Sequence, residues 1–310
     1  MNKHIVFFLA MMPSIVLADN LYISSQTGNE ISIFNLDTLQ VEKTFEVPKG
    51  PVSMIEDTEQ QLIYVSHPGL GRISVIDKTS HELLSEIDTG GQPFGMILDH
   101  TKQQLFVTDW SRDAVLVINT ATWLLVDILA VGKSPAGIAL DAIGRKVFVA
   151  NRESNSLTVL DADKPMLLAT IKTGERPYAV AFNPHNGHIY VSCIKENSVR
   201  VIDSNSYETI ATLKSGKAPY GITVANDGKQ FYVVNQNDNS LVIFDAENFD
   251  IIAEINTGKM PEDVAVSSDQ QRAFVTNWFG SSLSVIDLQS AKQLKRIPLN
   301  NDPRMILLAK

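Results

Sequence analysis

Three sets of residues recur at a fixed step of 42 positions along this 310-residue chain. One set is proline, one is aromatic and one is Asx, and each keeps the step seven times without an insertion or deletion. The members are Pro51, Pro93, Pro135, Pro177, Pro219, Pro261 and Pro303; Tyr22, Tyr64, Phe106, Phe148, Tyr190, Tyr232 and Phe274; and Asn35, Asp77, Asn119, Asp161, Asp203, Asp245 and Asp287. Because a period of this length is typical of repeat architectures, it constrains the fold more than any other feature.

Each unit reads as four short strands. In residues 93–132 the runs PFGMILD, LFVTD, AVLVIN and WLLVDILAVG are separated by polar or turn-forming residues. Runs rich in Val, Ile and aromatic residues favour strands, and a helical solenoid would need apolar residues at three- and four-residue spacing instead. Four strands per repeat of about 40 residues predict an all-β fold, a seven-bladed β-propeller of four-stranded antiparallel blades.

The two ends of the repeat region complement each other. Residues 19–47 contain three strand patterns but lack the proline-led one, whereas residues 303–310 (PRMILLAK) are a proline-led strand with nothing after it. We therefore expect the C-terminal strand to join the N-terminal blade and close the ring.

The first 18 residues differ from the rest. Lys3 precedes a mostly apolar run from Ile5 to Val16, and Val16-Leu17-Ala18 has the small residues that a signal peptidase reads. This pattern predicts a secretory signal peptide at residues 1–18, a single propeller domain at residues 19–310, and a periplasmic or secreted protein. The apolar run is too short for a permanent anchor, so no transmembrane anchor is expected after processing.

Charge and cysteine content narrow the function classes further. The formal net charge is −9, and loss of residues 1–18 removes Lys3 and no acid, which makes it −10. An acidic chain does not favour nucleic acid as a partner. Cys193 is the single cysteine, so no internal disulfide is expected.

The repeat residues resemble a known family. The segments LIYVSH, KVFVAN, HIYVSC, QFYVVN and RAFVTN, the following ISVID, SLTVLD, VRVID, SLVIF and SLSVID, and the Gly-x-x-Pro turns are similar to the YVTN-type β-propeller repeat. The resemblance implies a propeller of a kind common among exported proteins, and one that lactonases and subunits of periplasmic oxidoreductases also use. The matching residues are scaffold residues, so the resemblance implies architecture and not chemistry.

A functional site should lie among the residues that differ between repeats. Two variable positions are expected at one mouth of the central channel, namely the residue after each proline and the residue that ends each aromatic strand. Arginine, carboxylates and exposed aromatic rings together suit a polar or aromatic ligand. The candidate ligand-binding residues are His67, Asp109, Trp110, Arg152, Arg176, Tyr178, Tyr220, Glu262, Asp263, Trp278 and Arg304. The alternative is that these are solvated loop residues and ion pairs between blades.

Three functions remain open from the sequence. A non-catalytic scaffold for an envelope protein or a small polar ligand is preferred, since no catalytic set is recognisable. A lactonase-like hydrolase would use His67 or Glu262 as general base, with Arg176 or Arg304 stabilising an oxyanion. The third alternative is an accessory subunit of a periplasmic oxidoreductase. The scattered histidines and the lack of metal or haem motifs predict no metal and no cofactor.

Overall fold

The computed structural model describes residues 20–164 and 166–309, so the predicted signal peptide at residues 1–18 lies outside the described residues. Seven four-stranded sheets, here called blades 1 to 7, contain the strands of this part of the chain. Blade 1 contains β1 (Asn20–Ser25), β2 (Glu30–Asn35), β3 (Gln40–Glu46) and β28 (Pro303–Ala309). Blade 2 contains β4 (Met54–Asp57), β5 (Leu62–His67), β6 (Arg72–Asp77) and β7 (Leu83–Asp88); blade 3 contains β8 (Pro93–Asp99), β9 (Gln104–Asp109), β10 (Ala114–Asn119) and β11 (Leu124–Ala130). Blade 4 contains β12 (Pro135–Asp141), β13 (Lys146–Asn151), β14 (Ser156–Asp161) and β15 (Met166–Lys172); blade 5 contains β16 (Pro177–Asn183), β17 (His188–Cys193), β18 (Ser198–Asp203) and β19 (Thr209–Lys214). Blade 6 contains β20 (Pro219–Val224), β21 (Gln230–Asn235), β22 (Ser240–Asp245) and β23 (Ile251–Asn256); blade 7 contains β24 (Pro261–Val266), β25 (Arg272–Asn277), β26 (Ser282–Asp287) and β27 (Lys292–Pro298). A 3₁₀ turn, Arg152–Ser154, is the only helical element among the described residues.

The C-terminal strand closes the ring as the sequence predicts. β28 pairs antiparallel with β1, with Leu21 opposite Leu308 and Ile23 opposite Ile306. The strand order in blade 1 is therefore β28-β1-β2-β3, which matches the inner-to-outer order of the other six blades. The seven-bladed, all-β prediction is confirmed.

The hydrophobic core is divided into clusters between neighbouring blades, and each of the seven blade interfaces contains one. Between blades 5 and 6, for example, the Phe231 ring stacks on Tyr190 at a centroid distance of 4.1 Å and on Phe244 at 4.8 Å. Packing between sheets, not within one sheet, thus buries the aromatic column and joins the blades.

The Asx column ends the third strand of each blade by binding the turn that follows. The Oδ1 atom of Asp77 accepts hydrogen bonds from the backbone N–H groups of Thr79 at 2.9 Å and Ser80 at 2.7 Å. Asp245 does the same with Glu247 and Asn248. This is the predicted use of Asx side chains in turns.

Glycine lies three residues before the column proline in five of the seven repeats, and two different causes select it. At Gly90 the cause is a φ of 64°, in the left-handed region that favours glycine. Gly258 does not have a positive φ; instead, a Cβ atom there would lie 2.4 Å from the Cγ atom of Asn277. The Asn277 side chain accepts a hydrogen bond from the Gly258 N–H at 2.8 Å. Close approach of this amide to the turn, as also at Gly132 and Gly216, therefore selects glycine.

Candidate functional site

The residues that follow the column prolines, here called the inner ring, surround the axial channel. All seven line one cavity of about 140 Å³: Val52, Phe94, Ala136, Tyr178, Tyr220, Glu262 and Arg304. Because each lies at the start of the innermost strand of its blade, or two residues before it in the case of Val52, the side chains of seven different blades meet there.

Hydrogen bonds between blades fix the backbone of the inner ring. A hydroxyl on the second strand of one blade donates to the carbonyl of the inner-ring residue of the next blade, and this occurs four times among residues 20–164 and 166–309. The pairs are Ser66 with Phe94 at 2.8 Å, Thr108 with Ala136 at 2.8 Å, Ser192 with Tyr220 at 2.8 Å and Thr276 with Arg304 at 2.7 Å. Side chains presented by such fixed strands are held in place before any ligand arrives.

Arg304 crosses the channel from blade 1. Its Nη2 atom lies 3.4 Å from the hydroxyls of both Tyr178 in blade 5 and Tyr220 in blade 6. Its Nη1 atom donates to the Oε1 atom of Gln26 at 2.5 Å. With 15% of its side chain exposed, this largely buried cation links three blades.

Aromatic rings continue this layer towards blade 3. The Tyr178 and Tyr220 rings lie 4.0 Å apart at an angle of 34°, and Phe94 meets Tyr178 edge-on at 6.0 Å. Trp110 lies 5.2 Å from Phe94, and the Arg304 Cζ atom is 5.9 Å from the centre of the Phe94 ring. A cation and four rings thus form one connected surface.

Above this surface lies a pocket of about 320 Å³, here called the mouth pocket. The residues that line it are Pro68, Gln92, Phe94, Trp110, Arg152, Tyr178, Ile194, Tyr220 and Arg304. Its volume falls at the lower end of the range of roughly 300–1,000 Å³ that is usual for small-molecule sites. Among these lining residues there are two arginines, four aromatic rings and no carboxylate.

Arg152 is held at the rim by the 3₁₀ turn of blade 4. Its backbone N–H donates to the Ser134 carbonyl at 3.2 Å, and its Cζ atom lies 5.6 Å from the centre of the Trp110 ring. Its Nη1 atom donates to Glu153 at 2.5 Å, and Arg176 approaches the same carboxylate at 3.9 Å. Two arginines therefore share one acid, so this group of three side chains carries a net positive charge.

Two carboxyl groups of blade 7 lie at the side of the channel. Glu262 accepts a hydrogen bond from the Gln236 side chain at 2.7 Å and lies 3.8 Å from Arg304. Burial raises the pKa of Glu262 to about 7, although Arg304 opposes the shift. Burial likewise raises the pKa of Asp263 to about 6, although the Ile306 N–H donates to this carboxyl at 3.0 Å. Neither group lines the mouth pocket.

The residues that end the aromatic strands lie inside the turns between blades and do not line the mouth pocket. His67 is fully buried, with Nε2 2.9 Å from the Ser74 hydroxyl and Nδ1 3.3 Å from the Lys49 carbonyl. Burial lowers the pKa of His67 to about 4. Asp109 is also fully buried, and its Oδ1 atom accepts a hydrogen bond from the Gln92 N–H at 3.0 Å. These two side chains hold turns, as Asn277 does in blade 7.

Two further residues lie apart from the pocket. Trp278 stacks on Phe279 at 4.7 Å, and its indole N–H has no hydrogen-bond partner within residues 20–164 and 166–309. Cys193 is fully buried in the strand-end column, and burial raises the pKa of its thiol to about 11.

Among the described residues, no group of three or more His, Cys, Asp or Glu side chains is placed to hold a metal ion. The described residues also include no helix long and apolar enough to cross a membrane.

A second variable column, here called the outer ring, surrounds the mouth and was missed as a column by the sequence reasoning. It is one residue further along than the strand-end column: Gln26, Pro68, Trp110, Arg152, Ile194, Gln236 and Trp278. Four of its members line the mouth pocket, while Gln26 binds Arg304 and Gln236 binds Glu262. The 42-residue step would have revealed this column, because all seven positions are in phase. Phe94, although in the inner ring, was not named as a candidate either.

Comparisons with known proteins agree with this architecture. A sequence profile of the family described as YNCE-like beta-propeller matches residues 163–266. No curated protein matches the chain. A functionally unknown protein from Desulfotomaculum acetoxidans DSM 771 is similar in structure, with a TM-score of 0.83 and 14% identity over 94% of this chain and 99% of that chain.

Two other solved structures are similar to the ring. Dihydro-heme d1 dehydrogenase NirN in complex with DHE has a TM-score of 0.70 and 14% identity, over 94% of this chain and 66% of that chain. Kuenenia stuttgartiensis hydrazine synthase has a TM-score of 0.77 and 20% identity, over 86% of this chain and 92% of that chain. At these identities the likeness is one of fold. The matched segment and the seven-bladed ring together fit a propeller family of the YVTN type.

Proposed function

We propose that this protein is an exported, non-catalytic propeller that binds a small polar ligand in the mouth pocket. The single observation that carries the proposal is the lining of that pocket, where four rings and two arginines converge on about 320 Å³ of open space. Aromatic side chains combined with a few placed polar groups are common in small-molecule sites. The interblade hydrogen bonds to Phe94, Tyr220 and Arg304 support it, because they hold the wall in place.

The pocket differs from the rest of the repeat in the way a site should. The proline, aromatic and Asx columns recur in every blade, whereas the inner and outer rings change from blade to blade. Such variation in one place has no use in building the ring, since seven equivalent blades would close equally well. The variation of the inner and outer rings suits a single ligand that contacts each blade differently.

The hydrolase alternative receives less support from the geometry. His67 would have to act as a general base, but it is fully buried and both ring nitrogens have partners. Glu262 has a pKa in the range of a general base, yet it lines the channel cavity beneath the rings and not the mouth pocket. A base must come within hydrogen-bond reach of the proton that it removes.

The oxidoreductase alternative rests on neighbours in fold. NirN is named as a dehydrogenase and hydrazine synthase as a synthase, but at 14% and 20% identity neither partner nor cofactor carries over. A pull-down of the mature chain from the envelope fraction tests this alternative. Stoichiometric recovery of a haem protein would favour it over the binding proposal.

The binding proposal is tested with a panel of small amides, carboxylates and sugars, measured by calorimetry on the mature chain. Phe94→Ala removes a wall of the mouth pocket and is expected to weaken any ligand by tenfold or more. Phe279→Ala is the matched control, because Phe279 is 58% exposed and does not line the pocket. Equal loss in both variants, or no ligand from the panel or from native mass spectrometry of the purified protein, would refute the proposal. Export is tested separately by finding Asp19 as the N-terminal residue of the protein from the envelope fraction.

A further inference from the structure

The charges around the mouth pocket favour one sign of ligand. Both charged residues in its lining are arginines, and the acid beside Arg152 is shared with Arg176. The chain as a whole carries a net charge of −9, so the general field of the protein does not attract anions. A preference for an anion at this mouth must therefore come from these arginines at close range.

The two arginines that line the mouth pocket differ in how many of their N–H groups remain free to bind a ligand. Both terminal nitrogens of Arg304 already have partners, since Nη1 donates to Gln26 and Nη2 lies 3.4 Å from the hydroxyls of Tyr178 and Tyr220. Arg152 donates from Nη1 to Glu153, whereas its Nη2 and Nε atoms have no hydrogen-bond partner in the described part of the chain. A carboxylate has the two oxygens that such a guanidinium edge recognises. The Nε–Nη2 edge of Arg152 is therefore the one available to an anion in the pocket.

The surface beside Arg152 is aromatic. Its guanidinium lies 5.6 Å from the Trp110 ring, and the Phe94 ring follows 5.2 Å further on. A flat aromatic ring would contact these faces by offset or edge-on stacking. The Arg304 Cζ atom lies 5.9 Å from the centre of the Phe94 ring.

We propose that the mouth pocket selects small aromatic carboxylates, with the carboxylate on Arg152 and the ring against Trp110 and Phe94. This inference rests on the proposed function and adds the class of ligand. Arg304 acts as a positioning residue that keeps the tyrosine and phenylalanine walls in place.

The test compares three probes on the mature chain at 150 mM salt by calorimetry: benzoate, its neutral analogue benzamide, and cyclohexanecarboxylate, which keeps the charge but loses the flat ring. Benzoate is expected to bind at least ten times more tightly than either. Arg152→Gln should weaken benzoate about tenfold and change benzamide less than twofold. Arg176→Gln removes the same charge from the same rim but outside the pocket lining, and it should weaken benzoate less than threefold.

The possible failures are separable. If benzamide or cyclohexanecarboxylate binds as tightly as benzoate, or if Arg176→Gln matches Arg152→Gln, the inference is overturned while the pocket remains a binding site. If benzoate fails but another compound of the wider panel binds and is lost in Phe94→Ala, the ligand class is wrong and the proposed function stands. If no compound binds, both are refuted.

Discussion

The carboxylate of Glu262 in blade 7 lies 3.8 Å from the guanidinium of Arg304, which occupies the equivalent inner-ring position one repeat later, in blade 1. Burial opposes ionisation of this acid and Arg304 favours it, and burial prevails, so that the pKa rises to about 7. The carboxyl group of Glu262 therefore gains or loses its proton close to neutral pH. This change can be measured as a pH dependence of the free energy of unfolding.

Glu262→Gln is expected to flatten the pH dependence of stability between pH 4.5 and 7. In the native protein the raised pKa means that the folded state binds this proton more tightly than the unfolded chain does. The free energy of unfolding from this group is thus highest below pH 4.5 and falls as the pH rises to about 7, by up to about 3 kcal/mol. Denaturant unfolding at pH 5, 6.5 and 8 measures the slope, with the exposed Glu254→Gln as control. An unchanged slope in Glu262→Gln would contradict the assignment.

The His67→Asn variant is expected to fold and to lose less stability at low pH than the native protein. This pH dependence is opposite in sign to the one that Glu262 contributes. Burial lowers the pKa of His67 to about 4, so the unfolded chain binds the proton more tightly between pH 6.5 and 4. The native protein should therefore lose up to about 3 kcal/mol from this group as the pH falls through that window. Asparagine already holds the same turn in blades 4, 6 and 7, where it is Asn151, Asn235 and Asn277. Melting curves at pH 7 and pH 5 compare the variant with the native protein, and a variant that is equally acid-sensitive would count against the prediction.

Cys193 should be inert to thiol reagents in the native state. Its side chain is fully buried, so a reagent cannot reach the sulfur atom. Its pKa is raised to about 11, so little of the reactive thiolate forms at neutral pH. Titration with Ellman's reagent is expected to show reaction only after denaturant is added. Cys193→Asn restores the residue type of the neighbouring turns and should change the free energy of unfolding by no more than about 1 kcal/mol. Rapid stoichiometric reaction of the folded protein would show that blade 5 opens.

Deletion of residues 303–310 should destabilise the whole ring. The deletion removes the partner strand of β1 and part of the cluster between blades 7 and 1, including Ile306. We expect the melting temperature to fall by more than about 10 °C, given that about 1 kcal/mol shifts a protein of this size by a few degrees. Deletion of Lys310 alone is the control. A melting curve of the longer deletion that overlays the control would be incompatible with a closing role for β28.

The architecture could be predicted from the sequence because it depends on repetition. The proline, aromatic and Asx columns each have one physical task per blade, and seven copies in phase leave few alternatives. The closing strand was predictable for the same reason. The N-terminal repeat lacks a proline-led strand, and residues 303–310 supply one. The role of Gly258 was not predictable, because close approach of a side chain such as Asn277 depends on tertiary packing that φ preferences do not encode.

The candidate site was predictable in its location but not in its contacts. Tyr178, Tyr220 and Arg304 lie together as the inner-ring column suggests. His67 and Asp109 were indistinguishable in sequence from exposed loop residues, yet they are buried in turns. Polar residues that end a strand can serve either a turn or a ligand, and only the direction of the side chain decides between them.

Arg304, the cation at the base of the mouth pocket, belongs to β28, the strand that closes the ring against β1. Until β28 has docked beside β1, Tyr178 and Tyr220 have no guanidinium between them and the pocket has no complete base. The proposed recognition therefore depends on ring closure, so a chain clipped before β28 is expected not to bind.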